Sequence, residues 1–170
     1  WACGSNEYGQ LGDGTLNDQE IPVKIAESVQ YVAAHGDRTI FILQDGSVFG
    51  CGSNEFGALG LPNVEGQSND DFFKTPVRLP AISEVIAVEC STYYNTYLGT
   101  NGSVWLSTSP ANWSRAESQA PHILYEQSMV QIKSSETHTL FLKDDGTVET
   151  IGYQIGYADG TDHYSDIPLP

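Results

Sequence analysis

Residues 32–60 read VAAHGDRTIFILQDGSVFGCGSNEFGALG, and this stretch decides the fold. At its centre Asp45-Gly46 separates two short runs rich in β-branched and aromatic residues, Thr39–Leu43 and Val48-Phe49. Asp-Gly tolerates the positive φ angles of a tight hairpin turn, and a type I′ turn is the expectation here. The first run alternates, with Ile40 and Ile42 toward one face and Phe41 and Leu43 toward the other. Beyond the second run comes Gly52-Ser53-Asn54-Glu55-Phe56-Gly57-Ala58-Leu59-Gly60, a glycine-punctuated loop with no helical period.

The stretch recurs. Residues 2–12, ACGSNEYGQLG, repeat its loop; residues 88–105, VECSTYYNTYLGTNGSVW, and 132–149, IKSSETHTLFLKDDGTVE, repeat its hairpin. The valine after each turn falls at Val48, Val104 and Val148, a period of roughly fifty residues that belongs to propellers and repeat arrays. Each unit also carries a strand before the hairpin (29–34, 85–89, 129–133). Short segments at Ile21-Pro22-Val23, Thr75-Pro76-Val77 and Ile167-Pro168-Leu169 recur after the glycine-rich loops. Three to four short strands per unit is the content of a propeller blade. The expected fold is all-β: blades of antiparallel strands in an incomplete ring, about three blades plus part of a fourth. Repeat 1 spans about 1–49, repeat 2 about 50–105, repeat 3 about 106–149 and a partial repeat 4 about 150–170.

Val48-Phe49-Gly50-Cys51-Gly52-Ser53-Asn54 with Phe56-Gly57-Ala58-Leu59-Gly60, and Trp1-Ala2-Cys3-Gly4-Ser5-Asn6 with Tyr8-Gly9-Gln10-Leu11-Gly12, resemble the repeat signature of the regulator of chromosome condensation family. The resemblance implies a β-propeller, usually seven-bladed, built for protein recognition. Some members exchange guanine nucleotides on a small GTPase. Many are scaffolds, or are joined to ubiquitin-ligase or kinase domains. The signature residues carried over are Gly4, Asn6, Gly9, Gly12, Gly52, Asn54, Gly57, Gly60 and His138. The third copy departs from it at Leu106-Ser107-Thr108-Ser109-Pro110, and Arg38 and Tyr94 stand where the family's histidine, kept as His138, is usual.

Composition narrows the function. Seven Lys and Arg against 22 Asp and Glu give a net charge of −15, which argues against a nucleic-acid backbone binder and against docking on an anionic membrane. A hydrophobic fraction of 39% is too high for a disordered acidic tail, and no apolar run is long enough to span a bilayer. Three cysteines in wide spacing make neither a disulfide framework nor a zinc site; Cys3 and Cys51 precede the same Gly-Ser-Asn-Glu tetrad, so both are expected to be buried free thiols. That suits an intracellular protein, cytoplasmic or nuclear. The triplets Asn101-Gly102-Ser103 and Asn112-Trp113-Ser114 fit glycosylation acceptors and matter only in a secreted protein.

No catalytic, cofactor-binding or metal-binding residues are expected. The glycine loops lack the Lys-Ser/Thr and the helix of a phosphate cradle. Asp13-Gly14-Thr15-Leu16-Asn17-Asp18 lacks the closing Glu of a calcium loop. The histidines have no ligand spacing, and His138 is expected to be buried and hydrogen-bonded. Asn6 and Asn54 are expected to bond the backbone of their own loops.

The chain from Gly60 to Pro76 is longer than that from Gly12 to Pro22. Its extra residues lie within Leu61–Phe73 and combine carboxylates with adjacent aromatics. Glu65, Asp70, Asp71, Phe72 and Phe73 are therefore the candidate partner-binding residues; the alternative is that one phenylalanine folds back on its own blade.

The function expected is a non-catalytic interaction or scaffold module, with a protein partner that presents a basic surface. The alternatives are a guanine-nucleotide exchange factor for a small GTPase, or a recognition module attached to a catalytic domain outside this chain. Because the repeats fall short of a ring and the chain opens at Trp1, the sequence reads as part of a longer protein. The same longer chain or another would supply the rest of the propeller.

Overall fold

The computed structural model describes residues 1–61, 72–79, 82, 84–92, 94–107, 122–152 and 165–169. They form fourteen strands: β1 (Ala2–Gly4), β2 (Gln19–Val23), β3 (Val29–His35), β4 (Arg38–Leu43), β5 (Val48–Ser53), β6 (Phe72–Arg78) and β7 (Val85–Cys90), then β8 (Asn95–Gly99), β9 (Val104–Ser107), β10 (His122–Tyr125), β11 (Met129–Ser134), β12 (His138–Lys143), β13 (Val148–Gly152) and β14 (Ser165–Leu169). The helical element among them is a single 3-10 turn, Glu55–Gly57.

Hydrogen bonding sorts the strands into β3-β4-β5-β6, β7-β8-β9-β10 and β11-β12-β13-β14, with β1-β2 as a fourth, two-stranded sheet. All pairs are antiparallel, so each four-stranded sheet is a meander, the form of a propeller blade. The architecture is three blades plus part of a fourth in an open ring. The sheets are phased differently from the sequence repeats: the repeat boundary near Gly50 falls inside β5, because the signature loop follows the third strand of a blade.

Registers repeat from blade to blade. Val32 faces Phe41, Val88 faces Tyr97 and Ile132 faces Phe141, and each first pair has an irregularity near its start. The Pro-containing segments form the outer strands β2, β6 and β14, where a missing N–H is harmless and blunts a free sheet edge.

The hairpin turns differ from expectation. Gly46 N donates to Leu43 O and Leu43 N to Ser47 O, and only Gly46, at φ +77°, is left-handed. This is a type I turn followed by a glycine bulge, not type I′, since Asp45 keeps negative φ. Gly102 and Gly146 repeat it at +79° and +85°.

The core lies between sheets. Ile40, Ile42 and Val48 of the first blade meet Val85, Val88 and Tyr97 of the second; Leu98, Val104 and Leu106 of the second meet Ile132 and Phe141 of the third. Each such side chain, fully buried, contributes about 1.5–3 kcal/mol. At the equivalent positions of the third blade Leu140 is 44% and Val148 54% exposed, against 0% for Ile40 and Val48.

Two expectations are corrected here. Cys3 is exposed whereas Cys51 is buried, because the slot is covered by the preceding signature loop and Cys3 has no such cover among the described residues. His138 is exposed rather than buried, for the matching reason on the other side: no following sheet covers it among the described residues.

Candidate interaction surface

The first strands of the three blades, β3, β7 and β11, stand side by side and line an open cleft of about 540 Å³. Ala33, Glu89 and Lys133 occupy one register position, paired with Ile40, Thr96 and Leu140. Glu89 gathers its neighbours. Lys133 Nζ donates to its Oε1, and Tyr31 Oη lies 3.4 Å from the same oxygen. The Glu89 hydrogen bond holds the Lys133 ammonium in its charged form above the ordinary range. Burial, with the Glu89 charge, pushes the Tyr31 phenol up. At one end of the cleft His35 Nε2 lies 3.2 Å from Thr92 Oγ1, and Thr92 N donates to Glu136 O at 2.9 Å, tying three successive turns.

Beside the cleft runs a row of clamps. Arg38, 5% exposed, sends Nη2 to the carbonyls of Ser91 and Thr92, and Nε to Asn95 Oδ1 at 3.3 Å. Burial lowers its pKa, but a guanidinium stays protonated in proteins. Tyr94, one repeat on, places Oη 3.5 Å from Thr137 O and 3.4 Å from Ile151 O, and burial pushes its phenol up. His138, the third in the row, bonds among the described residues only within its own blade, with Nδ1 2.7 Å from Ser135 Oγ.

The signature loops serve the same junctions. Leu11 N donates to Asn6 Oδ1 at 3.0 Å and Leu59 N to Asn54 Oδ1 at 2.9 Å, so each asparagine, buried, closes its own loop. The loops then meet the next blade: Cys51 Sγ donates to Gln10 O, and Ser107 Oγ and Asn95 Nδ2 donate to Ala58 O. Gly52 is needed where it stands, since a Cβ there would lie 2.1 Å from Asp37 O. Gly4, Gly9, Gly12, Gly57 and Gly60 are likewise left-handed.

Of the candidate partner residues, Glu65, Asp70 and Asp71 lie outside the described residues. Phe72 and Phe73 are half-buried and open β6 rather than sit on a loop, pairing with Ser53 and Gly52; Phe73 packs on the core between the first two blades. Among the described residues no group of His, Cys, Asp and Glu is placed to hold a metal. The buried thiols of Cys51 and Cys90 are pushed up to about 12 by burial and stay protonated. The Tyr31–Glu89–Lys133 group was not visible in the sequence, though an alternating strand that sets Glu89 and Lys133 at one register position was a usable signal.

Comparison with known proteins agrees. The family described as Regulator of chromosome condensation (RCC1) repeat matches residues 1–42 and 45–98. The mouse E3 ubiquitin-protein ligase HERC2 is 24% identical over 174 residues, 89% of this chain but 3% of its own length. The Bos taurus secretion-regulating guanine nucleotide exchange factor is 41% identical over 69 residues, 37% of this chain and 14% of its own. Among solved structures, human WBSCR16 superposes with a TM-score of 0.77 at 22% identity, covering 98% of this chain and 46% of that one. Prp20p of Saccharomyces cerevisiae, whose structure was described with its binding to Gsp1p and histones, gives 0.73 at 16% identity, covering 98% and 44%. The chain thus spans less than half of each of these proteins. Matched over more than half of its own residues, it belongs to the regulator of chromosome condensation (RCC1) repeat family.

Proposed function

We propose that the chain is a non-catalytic protein-interaction and scaffold module that offers an acidic surface to a basic protein partner. One observation carries this reading: carboxylates far outnumber cations, and several of the cations are paired or buried. Lys24, Lys133 and Lys143 each close on a carboxylate and Arg38 is buried, while the chain holds 22 Asp and Glu. What faces solvent is therefore strongly negative, and such a field steers basic partners. The structural neighbour Prp20p was described with its binding to histones, which are basic proteins. Glu65, Asp70, Asp71 and Phe72 are proposed as contact residues, with Phe73 as their packed base. The rest of the propeller is proposed to come from the same longer chain or another, in an intracellular setting, cytoplasmic or nuclear.

Core histones are the probe. Titration calorimetry should show binding that weakens steeply as salt is raised. Binding that is absent at low salt, or indifferent to salt, overturns the reading. A second reading, exchange of guanine nucleotide on a small GTPase, is favoured by the 41% identity to a relative named for that activity. A nucleotide-release assay over a panel of small GTPases tests it, and acceleration would put it first. A third, recognition on behalf of an attached catalytic domain, takes its support from the match to the ligase HERC2.

A further inference from the structure

The three hairpin tips hold one side-chain slot in common. Asp45 Oδ1 accepts from Ser47 N at 2.9 Å and Ser47 Oγ at 2.6 Å; Asp145 Oδ1 accepts from Thr147 N at 2.8 Å and Oγ1 at 2.6 Å. Asn101 Oδ1 accepts from Ser103 N at 3.0 Å and Oγ at 2.6 Å. The slot uses one oxygen and is indifferent to what the other side-chain atom is. In Asn101 that atom is Nδ2, which has no hydrogen-bond partner among the described residues. The residue is exposed, and Gly102 follows it in the chain's only Asn-Gly step.

We propose that Asn101 is a spontaneous deamidation site built into the β8–β9 hairpin. The amide carbonyl is polarised by two donors, which also stand where charge develops on Oδ1 during attack. The nucleophile is Gly102 N, unshielded because Gly102 has no side chain; its hydrogen bond to Gly99 O, 3.1 Å long, must first open. Gly102 N loses its proton and bonds to Asn101 Cγ, the Cγ–Nδ2 bond breaks, and ammonia leaves with that proton. The product is a five-membered succinimide. Water opens it at Cγ to give aspartate, or at the backbone carbonyl to give isoaspartate. The sum is amide plus water to carboxylate plus ammonium.

The two products part company at the blade junction. Aspartate reproduces what Asp45 and Asp145 already do. Isoaspartate adds a backbone methylene where a Cβ on Gly102 would already lie 2.9 Å from Ser128 N and from Met129 O, and where Met129 N donates to Gly102 O at 3.1 Å. It therefore strains the contact between the second and third blades, while aspartate leaves it intact.

The test is to age the folded full chain in warm, mildly alkaline buffer and map the amide-to-acid mass gain by peptide. Conversion at Asn101 should run at least about tenfold faster than at any other asparagine, with isoaspartyl methyltransferase labelling the same peptide. Retention of the Asn101 amide, through an incubation in which an isolated peptide of residues 97–107 converts fully, overturns the proposal. Asn101→Asp should melt within about 2 °C of the parent, and a larger drop refutes the shared slot. Asn101→Ser should abolish the label; label that persists places the reaction elsewhere.

Discussion

The two blade junctions solve one problem with different chemistry. Between the first and second blades the clamp is a buried guanidinium, Arg38, with three oxygens of the second blade around it, beside a largely aliphatic core. Between the second and third the clamp is a neutral phenol, Tyr94, with long contacts of 3.4–3.5 Å, beside a core centred on Phe141. Arg38 is buried without an ion pair among the described residues, so its carbonyl partners are obligatory. Tyr94 is held mainly by the area it buries. One position in the repeat thus acts as a clamp whose chemistry is free to change, provided the next blade supplies oxygens in reach.

The sharpest way to break this contrast is at Arg38. Arg38→Met keeps much of the buried stem but orphans the Ser91 and Thr92 carbonyls and Asn95 Oδ1. A loss of about 3–5 kcal/mol in urea unfolding is expected. A loss no larger than that of the Tyr94 variant below would mean that the two clamps are equivalent after all.

The second test uses the hairpin glycines. Gly102 presses on the third blade, whereas a Cβ on Gly46 would meet Glu84 backbone only at 3.6 Å and one on Gly146 would meet nothing within 4 Å. Gly102→Ala is therefore expected to cost about 2–4 kcal/mol, left-handed strain plus overpacking. Gly146→Ala should cost about 1–2 kcal/mol, from strain alone. Equal losses would show that the hairpin of the second blade does not bear on the junction.

Tyr94→Phe removes only the hydroxyl. A loss of about 1 kcal/mol is expected, read as a shift in urea midpoint with unchanged slope.

These junctions also show where sequence reading stops. The hairpins, the strands that open each blade and the Pro-bearing outer strands were legible, because Asp-Gly or Asn-Gly turns, alternation and proline act locally. The loop role of Asn6 and Asn54 follows from the same kind of local bond. Strand β10 went unread, since Leu106–Pro110 carries none of the signature that marks the other blades. The type of turn was misjudged because Asp-Gly serves both type I′ and the bulged form. The Tyr31–Glu89–Lys133 group joins three strands far apart in sequence, so only the register of packed blades reveals it. The exposure of Cys3 and His138 reflects what covers each slot, which no property of the residue itself encodes.

The smallest expected effect separates the hairpins by charge. Asp45 and Asp145 have carboxyls lowered below the ordinary value of 3.8, first by the side-chain hydrogen bonds from Ser47 and Thr147. A lowered folded pKa means that the unfolded chain binds protons more readily. The stabilisation is thus fully present above the unfolded value and drains away as pH falls through it to the folded value. Asn101 sits in the same slot without a charge and contributes nothing to that slope. Asp45→Asn and Asp145→Asn together should flatten the acid limb of a melting-temperature profile below about pH 4 while changing little at neutral pH. Asn101→Asp should steepen the limb by the same mechanism. If the double variant loses stability at neutral pH and not in acid, the slot depends on the charge, and the equivalence of Asp and Asn in it fails.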